Sequence, residues 1–407
     1  MDAIVSDEPY EFVPPYRGRI WPWLLQRMAS WWLSRHFGVE KVECRGVERL
    51  RESFSAGHSV LIAPNHCRPC DPVVINELCR RAGKVPYTMA SWHLFREGPL
   101  KRFLLRRIGA FSIYREGLDR QALHACIDIL AEADRPLVIF PEGVISRTND
   151  RLLSLMDGVA FVARSAAKKR AEQSPPGKVV IHPIAIRYHF DGNIDQALHE
   201  TLDAIEQRLS WRPRREPDRV ARIYRVGEAL LWLKEIEYLG EPQHGEIFSR
   251  LHRLIDRILV PLEKEWLNGK TEESTVARVK KLRTAILRDM ISGEIDDDER
   301  TRRWNQLADM YLAQQLSHYA PAYVRSKPTD ERMLETIEKF EEDLTDESRI
   351  HRPMSVTVEV GNPIEAAPKR VRVRGEDALM VDLDHELREM LGIDPLPIVD
   401  DQQDSTE

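Results

Sequence analysis

The sequence predicts an α/β fold: a mostly parallel central sheet flanked by helices and interrupted by a large all-helical insertion. Three observations carry that reading. Between residues 58 and 190, short apolar runs rich in β-formers alternate with stretches of helical period. From 191 to 350 the alternation stops and only long helical patterns remain. Near 355 a strand pattern returns in "SVTVEVGNPI", followed by a last helix around 376–391.

Taken in order, residues 20–37, "IWPWLLQRMASWWLSRHF", hold four of the nine tryptophans. Their pattern predicts an amphipathic helix suited to a membrane interface, or one packed on its own domain. Strands are expected at 59–64, 84–89, 110–114, 136–140 and 179–188, with helices near 72–82, 99–107, 118–133 and 156–172. Strands alternating with helices of that length predict parallel pairing with both faces covered. The chain thus divides into a Trp-rich segment at 1–39, a core at 40–190, a helical insertion at 191–353, a last core strand and helix at 354–393, and an acidic tail at 394–407 expected to be disordered.

Composition narrows the class. The 407 residues are 42% hydrophobic and 31% charged, ample for a core. No window approaches eighteen uncharged apolar residues, so no transmembrane helix is expected. The acidic, Pro-rich start is wrong for a secretory signal, and five scattered cysteines fit reduced thiols in a cytosolic compartment. The net charge of −6 hides an asymmetry: residues 1–190 hold 28 Lys+Arg against 20 Asp+Glu. A basic first half suits anionic partners such as phosphates, coenzyme A or a lipid surface. No fingerprint of a nucleic-acid module is present.

The first chemical motif is "LIAPNHCRPCDPVVI" at 61–75, where an apolar strand runs out into Asn65-His66 and Asp71 follows. On a continuous helix residues five apart lie about 140° apart around the axis and would not meet. Pro69 and Pro72 exclude that helix and imply strand, loop, then helix. The loop lets imidazole and carboxylate face each other at the carboxyl end of a strand, as an oriented general base. Asp71-Pro72 also reads as the N-cap and first residue of the next helix, and both readings stay open. Cys67 and Cys70 have ligand spacing, but no second Cys/His pair completes a zinc site, so no metal is expected. "GHSVL" lacks the second glycine of a nucleophile elbow.

Two further motifs follow. "IGAFSIYRE" delivers Arg115 at a strand end, where a guanidinium can hold a phosphate, or simply lie in solvent. "PLVIFPEGVISRTNDR" runs a strand into Pro141-Glu142-Gly143, with Arg147 and Arg151 close behind. Gly143 permits a tight turn, and Glu142 could meet a substrate hydroxyl, tie down neighbouring loops or face solvent.

"NHCRPCD", "GAFSIYR", "FPEGVIS" and "IHPIAI", in that order, resemble the motifs of the glycerolipid acyltransferase superfamily, in particular 1-acylglycerol-3-phosphate acyltransferases of the PlsC type; "VEVGNPI" is similar to the family's last core strand. The resemblance covers roughly residues 40–190 and 355–392 and implies a PlsC-like fold. It implies that His66 deprotonates an acceptor hydroxyl, that Asp71 orients His66, that Arg115 holds the acceptor's phosphate, and that Glu142 and Gly143 shape the acceptor site. Asn65, Ser146 and Arg147 lie in the same motifs and are carried as substrate-binding candidates. The implied donor is acyl-CoA or acyl-carrier protein and the acceptor a lysophospholipid, with no cofactor, metal or acyl-enzyme, at the cytoplasmic face of an anionic membrane. Val144-Ile145-Ser146 depart from the family's Thr-Arg-Ser, leaving Arg147 to supply the missing charge. The same chemistry on glycerol 3-phosphate or an amino-lipid, or an inactive lipid- or acyl-CoA-binding protein acting through the insertion, are the alternatives. Whether the insertion covers the site, binds a partner or makes an oligomer is left open.

Overall fold

The chain enters its central sheet by an edge strand and crosses next to the middle. A computed structural model describes residues 8–117, 119–213, 218–272, 274–293, 295–373 and 375–393, so the acidic tail lies outside the described residues. Helices α1 (Ile20–Gln26) and α2 (Ala29–Phe37) lead into β1 (Val39–Arg45), α3 (Val47–Ser55) and β2 (Ser59–Pro64). Then come α4 (Asp71–Arg81), β3 (Tyr87–Ser91), a 3₁₀ turn at Trp92–Phe95, α5 (Pro99–Arg107), β4 (Ala110–Ile113), α6 (Arg120–Glu132), β5 (Leu137–Val138), α7 (Gly158–Ala171) and β6 (Val179–Phe190). The insertion comprises α8 (Ile194–Arg208), α9 (Arg219–Leu239), α10 (Ile247–Leu267), α11 (Thr275–Ser292), α12 (Asp297–Ser317), α13 (Tyr323–Ser326) and α14 (Asp330–Thr345). The chain then returns through β7 (Met354–Val360), β8 (Ile364–Glu365), the short pair β9 (Arg372–Val373) and β10 (Glu376–Asp377), and α15 (Ala378–Leu391).

The sheet order is β1-β7-β6-β2-β5-β3-β4, with β8 beside β6. Pairing is parallel except where β7 and β8 meet β6. All six residues of β2 are buried, as a central strand covered on both faces requires. Leu61 and Ala63 point into a core shared with α6, α7 and α15, while Val60 and Ile62 point into one shared with α2 and α4. The predicted mostly parallel α/β sheet is therefore present, and the returning strand β7 is inserted between β1 and β6.

Three local expectations need correction. The Trp-rich segment is two helices, α1 and α2, interrupted at Arg27–Met28. The strand expected at 84–89 begins at Tyr87, because Pro86 has no N–H for the ladder. The sequence "VEKVECR" forms β1, which was not anticipated; as an edge strand it keeps charged residues exposed and so lacks an apolar run.

The insertion's long helices start where a side chain can satisfy orphan backbone donors: Asn193, Asp218, Glu246, Ser274, Asp296 and Thr329 each cap the helix that follows. One apolar cluster joins α10, α11 and α12 through Leu254, Leu282 and Met310. A second joins α8, α9 and α14 through Leu202, Val226 and Ile337. Helix α14 is the seam with the core. Its Glu338 pairs with Arg68 at 2.9 Å, Glu342 with Arg147, and Glu335 accepts from the backbone N–H of Asn149 at 3.0 Å.

Candidate active site

The carboxyl end of β2 opens into a cleft of about 2750 Å³, lined by the core, by α11 and α12 of the insertion, and by the N-terminal helices. Asn65 directly follows the strand. Its side-chain amide donates to the Ile186 carbonyl at 3.0 Å and its Oδ1 accepts from the Ile186 N–H at 2.7 Å, fastening β2 to β6. Asn65 is thus buried in the sheet, and it anchors the residue that follows.

His66 stands at the cleft wall with its side chain 15% exposed. Its Nδ1 lies 2.8 Å from Asp71 Oδ2. A carboxylate only accepts, so Nδ1 carries the proton and Nε2 keeps a free lone pair. The ring stacks on Phe140, centroids 4.1 Å apart, which fixes its plane. Two main-chain bonds clamp the same residue: its N–H donates to Glu142 Oε1 at 2.7 Å, and its carbonyl accepts from the Ser146 N–H at 2.7 Å.

Asp71 is fully buried. Oδ2 also accepts from the Arg68 N–H at 2.9 Å, and Oδ1 accepts from the Tyr188 hydroxyl at 2.6 Å. The helix-cap reading of Asp71 does not hold. Asp71 is the first residue of α4, Cys70 occupies the cap position, and no side chain caps that helix. The carboxylate is spent on the histidine, the loop and the tyrosine. The backbone donors at this helix start are also taken: the N–H of Asp71 goes to the Arg68 carbonyl, and those of Val73 and Val74 go to the Cys70 carbonyl.

Of the three readings of Glu142, the structure selects the loop tie. Its Oε2 accepts from the Leu153 N–H at 2.9 Å, completing a bridge between the His66 loop and residues 150–155. Burial pushes its pKa up to about 8, against the lowering effect of the two N–H donors. Gly143 has φ +69°, and a Cβ there would lie 2.4 Å from the Met156 sulfur. Its carbonyl accepts from Arg115 at 2.5 Å. Arg115 therefore reaches the cleft wall next to the turn that clamps His66, and desolvation lowers its pKa.

Ser146 and Arg147 face elsewhere. Ser146 is buried and its hydroxyl donates to the Thr148 carbonyl at 3.1 Å. Arg147 pairs with Glu342 of the insertion, so the cation expected to replace the missing motif arginine is already neutralised. Arg151 lines the cleft instead and donates to the His318 carbonyl at 2.9 Å. Cys67 and Cys70 are buried free thiols; burial raises both, Cys70 to about 12, which keeps them protonated. Among the described residues no group of three or more His, Cys, Asp or Glu side chains could hold a metal ion.

Tyr188 and Phe140 were missed in the sequence. Tyr188 ends the apolar run "VVIHPIAIRY", whose alternation marks it as inward-facing but gives no hint of a carboxylate partner. No curated protein matches the chain. A family model described as Acyltransferase matches residues 41–187, which span β1 to β6 and every motif built into the cleft wall. Over residues 41–187 the chain is thus similar to the acyltransferase family.

Proposed function

We propose that the protein transfers a fatty acyl group from acyl-CoA or acyl-carrier protein to the hydroxyl of a lysophospholipid, 1-acylglycerol 3-phosphate, at the surface of an anionic membrane. The observation that carries this reading is the His66–Asp71 pair, with Nδ1 protonated onto the carboxylate and Nε2 free at the cleft. Nε2 takes the acceptor's hydroxyl proton as the oxygen attacks the thioester carbonyl. The C–S bond then breaks, and the departing thiolate takes that proton back from Nε2. The buried Asp71 stabilises the imidazolium in between. No covalent intermediate on the enzyme is needed, and the cysteines beside His66 are too buried and too basic to serve as nucleophiles.

Apolar residues on the cleft wall, among them Leu123, Ile127, Val159 and Phe161, suit an acyl chain. Trp31, Trp32, Leu100 and Leu104 also line the cleft and are exposed, so the chain would enter from a lipid surface. No described helix is long and apolar enough to cross a membrane, so attachment would be peripheral.

The test is acyl transfer to lysophosphatidate by the purified protein, beside His66→Ala and Asp71→Asn. Wild type should transfer, and each variant should lose on the order of 10²–10⁴-fold in kcat/KM while staying folded. Activity retained in His66→Ala would sink the mechanism. A wild type inactive on lysophosphatidate, glycerol 3-phosphate and amino-lipids with either donor would leave a binding protein.

A further inference from the structure

Helix α11 of the insertion brings two cations to the cleft that the acyltransferase core does not supply. Lys280 and Arg283 are three residues apart, hence on one helix face, and both line the cavity that Arg115 also lines. Arg283 is only 7% exposed. Its Nε is buried without a hydrogen-bond partner, and among the described residues neither Arg283 nor Lys280 forms an ion pair.

The insertion's other buried arginines behave differently. Arg222 pairs with Glu206 at 2.8 Å, Arg250 with Glu228 and Glu235 at 2.8 Å, and Arg303 with Glu299 at 2.7 Å. A buried guanidinium left without a carboxylate is costly, because desolvation is not offset by any partner charge. Desolvation and then the Arg115 charge push Arg283 down to about 10 and lower Lys280, with Glu116 opposing in both cases. Three cations therefore crowd one pocket, one of them buried, and Glu116 is the nearby carboxylate that moderates them. An incoming dianion would relieve that repulsion.

We infer that Lys280 and Arg283, together with Arg115, form a phosphate-binding site that joins the insertion to the acyltransferase core and holds the phosphate ester of a substrate entering the His66 cleft. The inference rests on the acyl-transfer reading for the identity of the substrate, not for the site itself. Two guanidinium groups and a lysine on one cavity wall offer forked donors and a mobile point charge, which match a phosphate better than a single carboxylate. The insertion thereby walls the cleft and selects for charge at the end of the substrate remote from the reacting oxygen. The phosphate could belong to the acceptor or to the donor's coenzyme.

Calorimetry with four soluble probes separates these. A short-chain lysophosphatidate is compared with the monoacylglycerol of equal chain, and CoA with pantetheine, on wild type, Lys280→Gln, Arg283→Gln and Arg283→Lys. Each Gln variant should weaken the phosphate-bearing member of one pair by at least about tenfold and leave its phosphate-free partner unchanged, with Arg283→Lys between. Loss confined to lysophosphatidate assigns the site to the acceptor; loss confined to CoA assigns it to the donor. Should Arg283→Gln fail to fold, Lys280→Gln at the open side of the cavity carries the test. Unchanged affinities in the variants, or a wild type that binds neither phosphate, would overturn the inference. Acyl transfer by the wild type, measured in parallel, judges the catalytic reading separately: transfer with unaltered phosphate binding sinks only the site, and phosphate binding without transfer sinks only the reaction.

Discussion

The Tyr188 hydroxyl donates to Asp71 Oδ1 at 2.6 Å, on the carboxylate oxygen that His66 does not use. The two residues are 117 positions apart and meet because β6 lies parallel to β2, with Ile184 opposite Pro64. A fully buried carboxylate needs such donors, because burying its oxygens without hydrogen-bond partners is costly. Tyr188 thereby sets how firmly Asp71 can hold the imidazole, although it does not touch the cleft.

Tyr188→Phe should therefore keep the fold and lose activity. Removing a charge-assisted hydrogen bond to a buried carboxylate costs about 1.5–3 kcal/mol. The expected result is a lower melting temperature and a kcat reduced about tenfold, with KM for the acyl donor little changed. Cys70→Ala is the control, since Cys70 Sγ meets the same hydroxyl at 3.2 Å without touching His66. Equal activity losses in the two variants would show that packing around the tyrosine, rather than its bond to Asp71, is what matters.

Glu142→Gln tests the clamp. Glu142 accepts one backbone N–H on each oxygen, and a glutamine can accept on only one. One buried N–H is left facing an amide donor, at a cost of about 1–3 kcal/mol. If the lost bond is that of His66, kcat should fall with the stability. Wild-type kcat and melting temperature in Glu142→Gln would remove the clamp from the mechanism.

Stability should carry a histidine signature in mild acid. His182 is fully buried on β6 between Ser53 Oγ at 2.9 Å and the Gly361 carbonyl at 3.2 Å, and burial depresses its pKa to about 4, helped by Arg49 and His58. Its ordinary value is about 6.5. Between those values the unfolded chain binds a proton that the folded chain refuses, so stability is present above about pH 6.5 and is lost as pH falls toward 4. The slope approaches about 1.4 kcal/mol per pH unit. Urea unfolding of wild type and His182→Gln at pH 7.5 and pH 5 should show the gap between them shrinking in acid. Parallel lines would refute the assignment.

The tryptophans of α1 and α2 should control attachment to lipid. Trp23 and Trp31 are 52% and 56% exposed, and the patch continues through Trp21 onto Phe103 of α5, ring centroids 5.8 Å apart. Arg27 lies over Trp23 at 3.6 Å, placing a cation beside the apolar surface. Trp21→Ser with Trp23→Ser, neither of which lines the cleft, should reduce co-sedimentation with anionic vesicles by about an order of magnitude, while leaving turnover of a water-soluble short-chain acceptor intact. Undiminished sedimentation would place the membrane contact elsewhere.

Local features of the chain were legible without the structure wherever their cause was local. Pro69 and Pro72 forbid a helix through residues 66–71, so the spacing of His66 and Asp71 already implied a loop joining them. The apolar runs at 59–64 and 179–188 implied a covered parallel sheet, because such runs are soluble only when both faces are buried. What Asp71, Glu142 and Arg147 do with their charges was not legible, since each partner lies on another element: Tyr188 on β6, Leu153 beyond the turn, Glu342 on α14. The pairing of Arg115 with the cavity that holds Lys280 and Arg283 was equally hidden. Periodicity reports which face of a helix or strand is buried and carries no record of which distant element covers it. The sequence by itself determined the sheet, the helical insertion and the loop that lets His66 face Asp71; packing alone decided which side chains reach the cleft and which are spent holding its wall.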